Sequence, residues 1–315
     1  MVIAILGGGS WGSALAVHLA SRGERVRVWE FFDAQAREMQ ETRACKLLPG
    51  VVLSENIFVS SRMEEVLQDS EVVMLVVPSD KVEGTIKNAA PLLIDQSVII
   101  CSKGFSKDGL LLSDVVLAEV EGEVYCLYGP THAEEVGRGL FSGIVLAGSG
   151  KKREELQAML HSESFKVDVT DDIIGVQVCA TLKNVLAVFV GVLDGMQLGD
   201  NAKAYVMTKG LEEIKELGMK WGAKAETFSG LAGVGDMIVT CTSLHSRNRF
   251  VGQEVGKGRK LQDVLQGMTM VAEGVSAVQI AVKLQERFDV SMPLIFGLYE
   301  ILFEGRDPQD VLKGL

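Results

Sequence analysis

The sequence has little of what marks disulfide-linked or metal-binding proteins. Its 315 residues include an odd number of scattered cysteines: Cys45, Cys101, Cys126, Cys179 and Cys241. Most of them stand among apolar residues, which predicts buried thiols in a reducing compartment and not a disulfide framework. The four histidines stand apart, and no cluster of cysteine, histidine and carboxylate has metal-ligand spacing. We therefore expect no metal site.

Positive charge is scarce as well. Lysine and arginine number 31 against 42 aspartates and glutamates, which gives a net charge of −11, and they form no long basic run. A general binder of nucleic acid or of anionic membranes is therefore not expected. The chain starts with an apolar run and no basic segment before it, which favours a strand over a secretory signal peptide. We expect a cytoplasmic protein.

A glycine-rich turn follows this first apolar run. Val2–Leu6 leads into Gly7-Gly8-Gly9-Ser10-Trp11-Gly12, and residues 13–22 continue with a helical pattern. A G-x-G-x-x-G segment between a strand and a helix is typical of dinucleotide binding. Gly7 then allows the tight turn, Gly9 lets a pyrophosphate approach the backbone, and Gly12 lets helix and strand pack closely. The alternative is a plain glycine turn.

An acidic residue at the end of the second predicted strand supports dinucleotide binding. Arg25–Trp29 is followed by Glu30, at the distance from the glycine motif where a carboxylate holds the adenine ribose hydroxyls. Glu30 and Phe31 stand where a basic clamp for the 2′-phosphate of NADP would lie, and Glu30 would repel that phosphate. We expect NADH to be preferred, with NADP still possible if Arg27 or Arg37 swings in.

Strand-like runs continue through the first half of the chain and then stop. They cover residues 72–77, 97–101, 124–127, 144–147 and 166–169, with amphipathic segments between most of them. Alternating strands and helices predict a mostly parallel sheet. After about residue 170 the patterns are helical. We predict an α/β protein in which a Rossmann-like, mostly parallel sheet over 1–170 binds the dinucleotide, and an all-helical C-terminal domain over 171–315 binds the substrate and carries the catalytic groups.

Polar loops follow several of the predicted strands. Ser102-Lys103-Gly104 and Gly129-Pro130-Thr131-His132 both stand at strand ends. In open parallel sheets ligands bind outside the carboxyl ends of the strands, so these loops are candidates for a binding site. The competing interpretation of Lys103 is a solvated surface residue.

A lysine interrupts the most apolar stretch of the chain. Residues 173–193 carry no charge besides Lys183, and nearly all their other side chains are apolar or small. The stretch could span a membrane, but a lysine at its midpoint costs roughly 2.5–3.5 kcal/mol on insertion scales. A buried helix without a membrane span is the better prediction. Burial lowers the pKa of a lysine, which suits Lys183 to proton transfer near neutral pH.

Two further interpretations concern this helix. Small residues near Lys183 on the helix would leave room for a ligand: Cys179, Ala180, Ala187 and Gly191. Alternatively, Lys183 is a structural lysine that extends to the surface or pairs with a carboxylate.

Six stretches together resemble the NAD(P)-dependent glycerol-3-phosphate dehydrogenase family over essentially the whole chain. They are Gly9-Ser10-Trp11-Gly12, Gly129-Pro130-Thr131-His132-Ala133-Glu134-Glu135-Val136, Leu182-Lys183-Asn184-Val185, Gly199-Asp200-Asn201-Ala202-Lys203-Ala204, Gly230-Leu231-Ala232-Gly233-Val234-Gly235-Asp236 and Thr240-Cys241-Thr242-Ser243-Leu244-His245-Ser246-Arg247-Asn248-Arg249. Related dehydrogenases share the glycine loop but not the serine-arginine-asparagine segment, so the combination is specific.

The resemblance implies roles for individual residues. Lys183 is the general acid–base, and Asp236 belongs to the same catalytic cluster. Besides these two, the substrate contacts are Lys103, Gly129, Thr131, Asn184, Ser246, Arg247 and Asn248. The cofactor contacts are Ser10, Trp11, Lys103, Ala133, Arg247 and Glu273, together with Gly7, Gly9, Gly12, Glu30 and Phe31 of the dinucleotide motif. The implied reaction reduces dihydroxyacetone phosphate to sn-glycerol 3-phosphate for phospholipid synthesis, in a commonly dimeric, cytoplasmic enzyme.

Three alternatives stay open at the level of the sequence. A related 3-hydroxyacid or 6-phosphogluconate-type dehydrogenase also combines a Rossmann domain with a helical lysine. A non-catalytic nicotinamide sensor would bind the cofactor tightly without turnover. Locally, Ser246-Arg247-Asn248-Arg249 would also suit an N-capped helix with a solvated basic face.

Overall fold

The chain folds into two compact units. The computed structural model describes residues 1–244, 246–268 and 272–314. Met1–Ser102 with Leu112–Ile173 forms the first unit, and Lys103–Leu111 with Ile174–Leu315 forms the second. We call them the sheet unit and the helical unit. Lys103–Leu111 thus packs with the helical unit although it follows a strand of the sheet, and the predicted division at residue 170 stays a prediction.

The described residues of the sheet unit form one eight-stranded sheet. Its strands are β1 (Val2–Leu6), β2 (Arg25–Trp29), β3 (Ile57–Ser60), β4 (Val72–Leu75), β5 (Ser97–Ile100), β6 (Val124–Tyr128), β7 (Ser142–Ala147) and β8 (Phe165–Thr170). They lie in the order β3-β2-β1-β4-β5-β6-β7-β8, with β6 and β7 antiparallel and the other neighbours parallel. The order reverses between β1 and β4, the position at which such sheets bind ligands. The predicted mostly parallel, Rossmann-like sheet is confirmed.

Apolar runs make the central strands because both faces of the sheet are covered by helices. Every residue of β1, β4 and β5 is buried. The sequence did not predict β3, a four-residue edge strand in which only Ile57 and Val59 are buried. The helices of this unit are α1 (Ser10–Ser21), α2 (Asp33–Thr42), α3 (Met63–Leu67), α4 (Val82–Ala89), α5 (Leu112–Leu117), α6 (Ala133–Val136) and α7 (Arg153–Leu160).

Beyond Ile173, every regular element that the described residues form is helical, as predicted. The helices are α8 (Ile173–Gly195), α9 (Gly199–Trp221), α10 (Asp236–Thr242), α11 (Arg247–Gly256), α12 (Leu261–Gln266), α13 (Glu273–Phe288), α14 (Pro293–Tyr299) and α15 (Pro308–Lys313). Two π-helical turns, Leu231–Gly235 and Glu300–Glu304, precede Asp236 and follow α14.

The apolar helix α8 runs through the core of the helical unit. Its residues from Gly175 to Leu193 are all buried. Of the helices in the described part of the chain, α8 alone is long and apolar enough to cross a membrane, and 89% of its most apolar window is buried inside the protein. Such burial is what a core helix shows, so the length and composition of α8 are weak evidence for a membrane span.

Candidate functional site

The glycine loop of the sheet unit has the geometry that its motif predicts. Gly7 adopts φ +129°, and a Cβ there would lie 2.6 Å from the carbonyl oxygen of Val76. A Cβ on Gly12 would overlap the carbonyl oxygen of Gly7, so helix and loop touch through their backbones. Apart from Gly9 and its two chain neighbours, no described atom lies within 4 Å of the Cβ position on Gly9. A phosphate could therefore approach the backbone at Gly9, where α1 begins.

The half-buried Ser10 and Trp11 are the first residues of α1. The first N–H groups of a helix lack partners within the helix and carry its positive dipole end. The residues present therefore fit the pyrophosphate of a dinucleotide.

Glu30 lies directly against this loop. It is 7% exposed, and its Oε1 accepts a hydrogen bond of 3.1 Å from the Phe32 N–H. Its Oε2 is 2.7 Å from the Cβ position of Gly8, so a larger residue at the middle glycine would displace the Glu30 carboxylate, which the motif alone did not reveal. Burial raises the pKa of Glu30, while backbone N–H groups of Phe32 and Gly8 oppose that rise. Phe31 extends outward and is 68% exposed.

The two arginines considered for NADP both have other partners. Arg27 donates to the backbone carbonyls of Glu65, at 3.0 Å, and Gln68, at 2.5 Å. Arg37 pairs with Asp33 one turn earlier on α2. The Arg37 pair is fully exposed, so it holds the side chain only weakly.

The loop after β6 brings three predicted contacts together within the sheet unit. A Cβ on Gly129 would lie 2.9 Å from the Cα of Ile144, so this position requires glycine for strand packing. The half-buried Thr131 donates from its hydroxyl to the Gly129 carbonyl at 3.2 Å. Ala133 is the buried first residue of α6. Of these three residues, only Thr131 has a polar side-chain group, its hydroxyl.

In the helical unit, Asp236 joins two lysines. Its Oδ1 lies 2.5 Å from Lys183 Nζ, and its Oδ2 lies 2.7 Å from Lys103 Nζ. Asp236 is 1% exposed and Lys183 6%. The alternative that Lys183 pairs with a carboxylate is thus what the structure shows, whereas a lysine that reaches the surface is excluded by its burial. Lys103, which the sequence left as a possible surface residue, is 20% exposed at its side chain and belongs to this cluster.

Burial sets the protonation of the cluster. Desolvation lowers the pKa of Lys183 to about 7; the Asp236 carboxylate opposes this shift, and the Lys103 ammonium adds to it. A lysine with a pKa near neutrality can both donate and accept a proton under physiological conditions. The expected lowering of the Lys183 pKa is confirmed.

Thr240 is a member of the cluster that the sequence did not single out. It lies one turn after Asp236 on α10, and its hydroxyl accepts a hydrogen bond from Lys183. The same hydroxyl donates to the Asp236 backbone carbonyl at 2.7 Å. The sequence signal that could have found Thr240 is its position four residues after Asp236, which puts both side chains on one face of a helix. The π-helical turn before Asp236 could not be read from the sequence, and such turns often occur at functional sites.

Asn184 and Asn248 connect three helices of the helical unit. Asn248 donates from Nδ2 to Asn184 Oδ1 at 2.9 Å, and its Oδ1 accepts from the Gly274 N–H at 2.9 Å. Gly274 follows Glu273, the predicted cofactor contact at the start of α13. The amide of Asn248 therefore ties the lysine helix α8 to the helix that begins with Glu273.

The start of α11 carries the serine-arginine-asparagine segment. Ser246 is buried, and its hydroxyl accepts from the Arg249 N–H at 3.3 Å, so the alternative of an N-capped helix is correct for this serine. Arg247 is the exposed first residue of α11. Arg249, which had no predicted role, binds Asp194 at 2.5 Å and the Thr242 carbonyl at 2.9 Å. His245 of the same motif lies outside the described residues.

The expectation that small residues on α8 leave room for a ligand is wrong for Cys179, Ala187 and Gly191, and it stays a prediction for Ala180. Cys179 and Ala187 lie in the apolar core of the helical unit. A Cβ on Gly191 would overlap the carbonyl oxygen of Arg249, so Gly191 serves the packing of α8 against α11. All five cysteines are buried thiols that form no disulfide with one another. Within residues 1–244, 246–268 and 272–314, no group of three or more histidine, cysteine or acidic residues could hold a metal ion.

Comparison with known proteins identifies the family. Residues 2–154 match the NAD-dependent glycerol-3-phosphate dehydrogenase N-terminus, and residues 172–313 match its C-terminus. The chain belongs to this family. It is 40% identical over 324 residues to glycerol-3-phosphate dehydrogenase [NAD(P)+] of Prosthecochloris aestuarii, covering 100% of this chain and 97% of the relative. The enzyme of the same name from Bacillus subtilis is 40% identical over 99% of this chain and 93% of its own length.

Solved structures agree with this assignment. The crystal structure of glycerol-3-phosphate dehydrogenase from Coxiella burnetii matches with a TM-score of 0.95 and 35% identity, over 99% of this chain and 98% of that one. A ketopantoate reductase from Ralstonia eutropha matches with a TM-score of 0.64 and 15% identity, over 96% and 97% of the two chains. That second likeness is one of fold alone. The predicted family, the α/β fold with a helical C-terminal part, and the use of NAD(P) are thereby confirmed.

Proposed function

We propose that this protein interconverts dihydroxyacetone phosphate and sn-glycerol 3-phosphate with a nicotinamide cofactor and so supplies glycerol phosphate for phospholipid synthesis. Both family matches and the names of relatives 40% identical over the full chain support this activity. The observation that carries the chemistry is the buried contact of 2.5 Å between Lys183 and Asp236. A ketone reductase needs an acid of nearly neutral pKa, and the pKa of Lys183 is about 7.

In ketone reduction the proton comes from the lysine cluster. The bound nicotinamide supplies the hydride. As negative charge grows on the substrate oxygen, the Lys183 ammonium stabilises it and then donates its proton to that oxygen. Asp236 and Thr240 hold the Lys183 amine in place by direct hydrogen bonds. In the oxidative direction the neutral amine accepts the same proton.

The phosphate of the substrate is assigned to the beginning of α11. Arg247 is exposed there and can offer two parallel N–H donors to phosphate oxygens. The positive end of the dipole of this ten-residue helix adds to the attraction. Ser246 and Asn248 flank Arg247 in the chain. Both already make hydrogen bonds within the protein, so their part includes shaping this helix start.

The remaining site residues follow the family pattern. We assign substrate contacts to Lys103, Gly129, Thr131, Lys183, Asn184, Asp236, Ser246, Arg247 and Asn248. We assign cofactor contacts to Gly7, Gly9, Ser10, Trp11, Gly12, Glu30, Phe31, Lys103, Ala133, Arg247 and Glu273. Residues 1–170 then form the dinucleotide-binding domain and 171–315 the substrate-binding and catalytic domain, with NADH preferred because Glu30 lies against the glycine loop.

Oxidation of NADH with dihydroxyacetone phosphate as the sole acceptor tests the function directly. Turnover with this ketone and none with 3-keto acids or 3-keto-6-phosphogluconate supports the proposal, and the opposite preference would establish the related hydroxyacid activity. In Lys183→Ala we expect NADH affinity to persist while kcat falls at least about a hundredfold. Tight NADH binding by the wild-type protein without turnover of any of these acceptors would instead establish the sensor function.

We also infer a homodimer in the cytoplasm. Both features are common in the family, and the low content of basic residues disfavours an anionic membrane surface as the working place. Light scattering coupled to size-exclusion chromatography measures the oligomeric state: a mass of twice 34.0 kDa supports the dimer, and the single-chain mass contradicts it.

A further inference from the structure

The segment Lys103–Leu111 closes on itself within the helical unit. Phe105 and Leu111 form an isolated antiparallel bridge. The Ser106 N–H donates to the Leu110 carbonyl at 3.0 Å, and the Leu110 N–H donates back to Ser106 Oγ at 3.0 Å. We call this segment the Lys103 loop. Its internal hydrogen bonds make it a compact element and not an extended linker.

An aromatic stack anchors the Lys103 loop. Phe105 is 3% exposed and stacks on Trp221 at the end of α9, with ring centroids 5.6 Å apart and planes at 24°. Trp221 in turn packs on Phe288, at 4.8 Å, and the guanidinium of Arg287 lies over both of these rings, at 5.9 and 5.3 Å. A Cβ added at Gly109, near the tip of the loop, would lie 3.4 Å from the Ile280 side chain of α13, so the tip lies close to that helix. The loop is therefore anchored through Phe105.

Lys103 stands two residues before the anchored Phe105. Its ammonium lies 2.7 Å from Asp236 Oδ2, on the carboxylate whose other oxygen binds Lys183. A lysine side chain has four flexible bonds and loses roughly 2 kcal/mol of rotamer entropy when it is fixed. A rigid backbone at the root of the side chain limits the positions that its ammonium samples. The stack therefore acts on the site through the Lys103 backbone.

We propose that the Phe105–Trp221 stack is a positioning device for the reaction, which fixes the Lys103 loop and so holds the Lys103 ammonium on Asp236. This inference rests on the proposed function, in which Lys103 contacts the substrate. Phe105 and Trp221 are positioning residues. With Lys103 held there, its charge also opposes protonation of Lys183, in the same direction as burial. The pKa of Cys241, the other titratable neighbour, is raised by burial to about 12, so this thiol stays protonated.

The test compares variants that break the stack with variants that keep it. Phe105→Leu and Trp221→Leu remove one ring each, whereas Trp221→Phe keeps a ring. Phe303→Leu is the control, because Phe303 also makes an aromatic contact in the helical unit, with Tyr299 at 5.2 Å, but far from the loop in sequence. We expect the first two variants to lower kcat roughly tenfold or more, since small misplacements of catalytic groups are costly. The alkaline limb of their pH–rate profile should move to higher pH, while Trp221→Phe and Phe303→Leu keep the wild-type limb.

The variant Lys103→Met separates this inference from the proposed function. It should reproduce the shift of the alkaline limb, and adding Phe105→Leu to it should cause no further shift. If Lys103→Met shows wild-type turnover and profile, the assigned role of Lys103 fails. If Lys103→Met is impaired while Phe105→Leu and Trp221→Leu merely melt at lower temperature, like Phe303→Leu, the positioning role alone is overturned. If Phe105→Leu does not fold, Trp221→Leu tests the same stack, because Trp221 is only half-buried and contributes the other ring.

Discussion

Gly252 of α11 packs its bare α-carbon against the backbone carbonyl of Val188 in α8. A Cβ on Gly252 would overlap that oxygen, and one turn later a Cβ on Gly256 would overlap the carbonyl oxygen of Val192. The two helices therefore touch through their backbones. Because α8 carries Lys183 and α11 begins with Arg247, this contact sets the spacing between the proposed proton donor and the proposed phosphate site.

This contact makes Gly252 intolerant of substitution. Gly252→Ala should lower the free energy of unfolding by about 3 kcal/mol or more, the upper end for overpacking, since a backbone carbonyl cannot rotate away as a side chain can. Gly84 is the matched control: it is exposed in the first turn of α4, and apart from its chain neighbours and the helix backbone no described atom is within 4 Å of its Cβ position. Gly84→Ala should gain about 0.5–1 kcal/mol. Equal effects in denaturant unfolding of the two variants would contradict the packing argument.

The pH dependence of ketone reduction should report the Lys183 pKa. In the proposed mechanism the protonated amine is the acid, so the rate should fall as pH rises through about 7, and the oxidative rate should rise over the same range. Asp236 favours the charged lysine. Asp236→Asn should therefore lower the pKa of Lys183 further and move the alkaline limb of reduction to lower pH, the opposite of Lys103→Met. A limb that stays in place in both variants would assign the titration to another group.

Arg247 should discriminate substrates by their phosphate. Arg247→Ala should raise KM for dihydroxyacetone phosphate on the order of ten- to a hundredfold, since a hydrogen bond to a charged group contributes about 1.5–3 kcal/mol. The KM for unphosphorylated dihydroxyacetone should change little. Arg247→Lys keeps the charge but loses the two parallel N–H donors of the guanidinium, so its KM should lie between those of the wild type and Arg247→Ala. Equal penalties on both ketones would assign Arg247 to structure or to the cofactor alone.

Glu30 should set the preference between the two nicotinamide cofactors. NADH should exceed NADPH at least about tenfold in kcat/KM, because roughly 1.4 kcal/mol of repulsion between a carboxylate and a 2′-phosphate suffices for that ratio. Glu30→Gln should reduce the preference. Glu41→Gln, which neutralises an exposed acid on the neighbouring α2, should leave it unchanged. Steady-state kinetics with each cofactor decide the matter, and a wild-type preference for NADPH would show that Glu30 does not act on the ribose.

Local patterns sufficed for much of the sheet unit. β1 and β2 begin and end where the sequence predicts: β1 is a continuous apolar run covered on both faces, and β2 alternates arginine with buried valine. The glycine motif also predicted its own backbone geometry, because residues other than glycine rarely adopt the positive φ that the turn has at Gly7. The edge strand β3 was missed because four residues with two buried side chains give too weak a pattern.

By itself, then, the sequence determined the Rossmann-like sheet, the buried lysine helix and the family, since each rests on residues close together in the chain or on motifs in combination. The resemblance had grouped Asp236 with Lys183, but only the tertiary structure decided the direct contacts of Lys183 with Asp236 and Thr240 and the position of Lys103 on the same carboxylate. Asp236 is 53 residues away in the sequence, and Lys103 is 133 residues from Asp236. It also showed that Gly191, expected to leave room for a ligand, instead lies in the contact between α8 and α11. Spacing along one helix shows which residues share a face, but what that face meets depends on packing between distant segments.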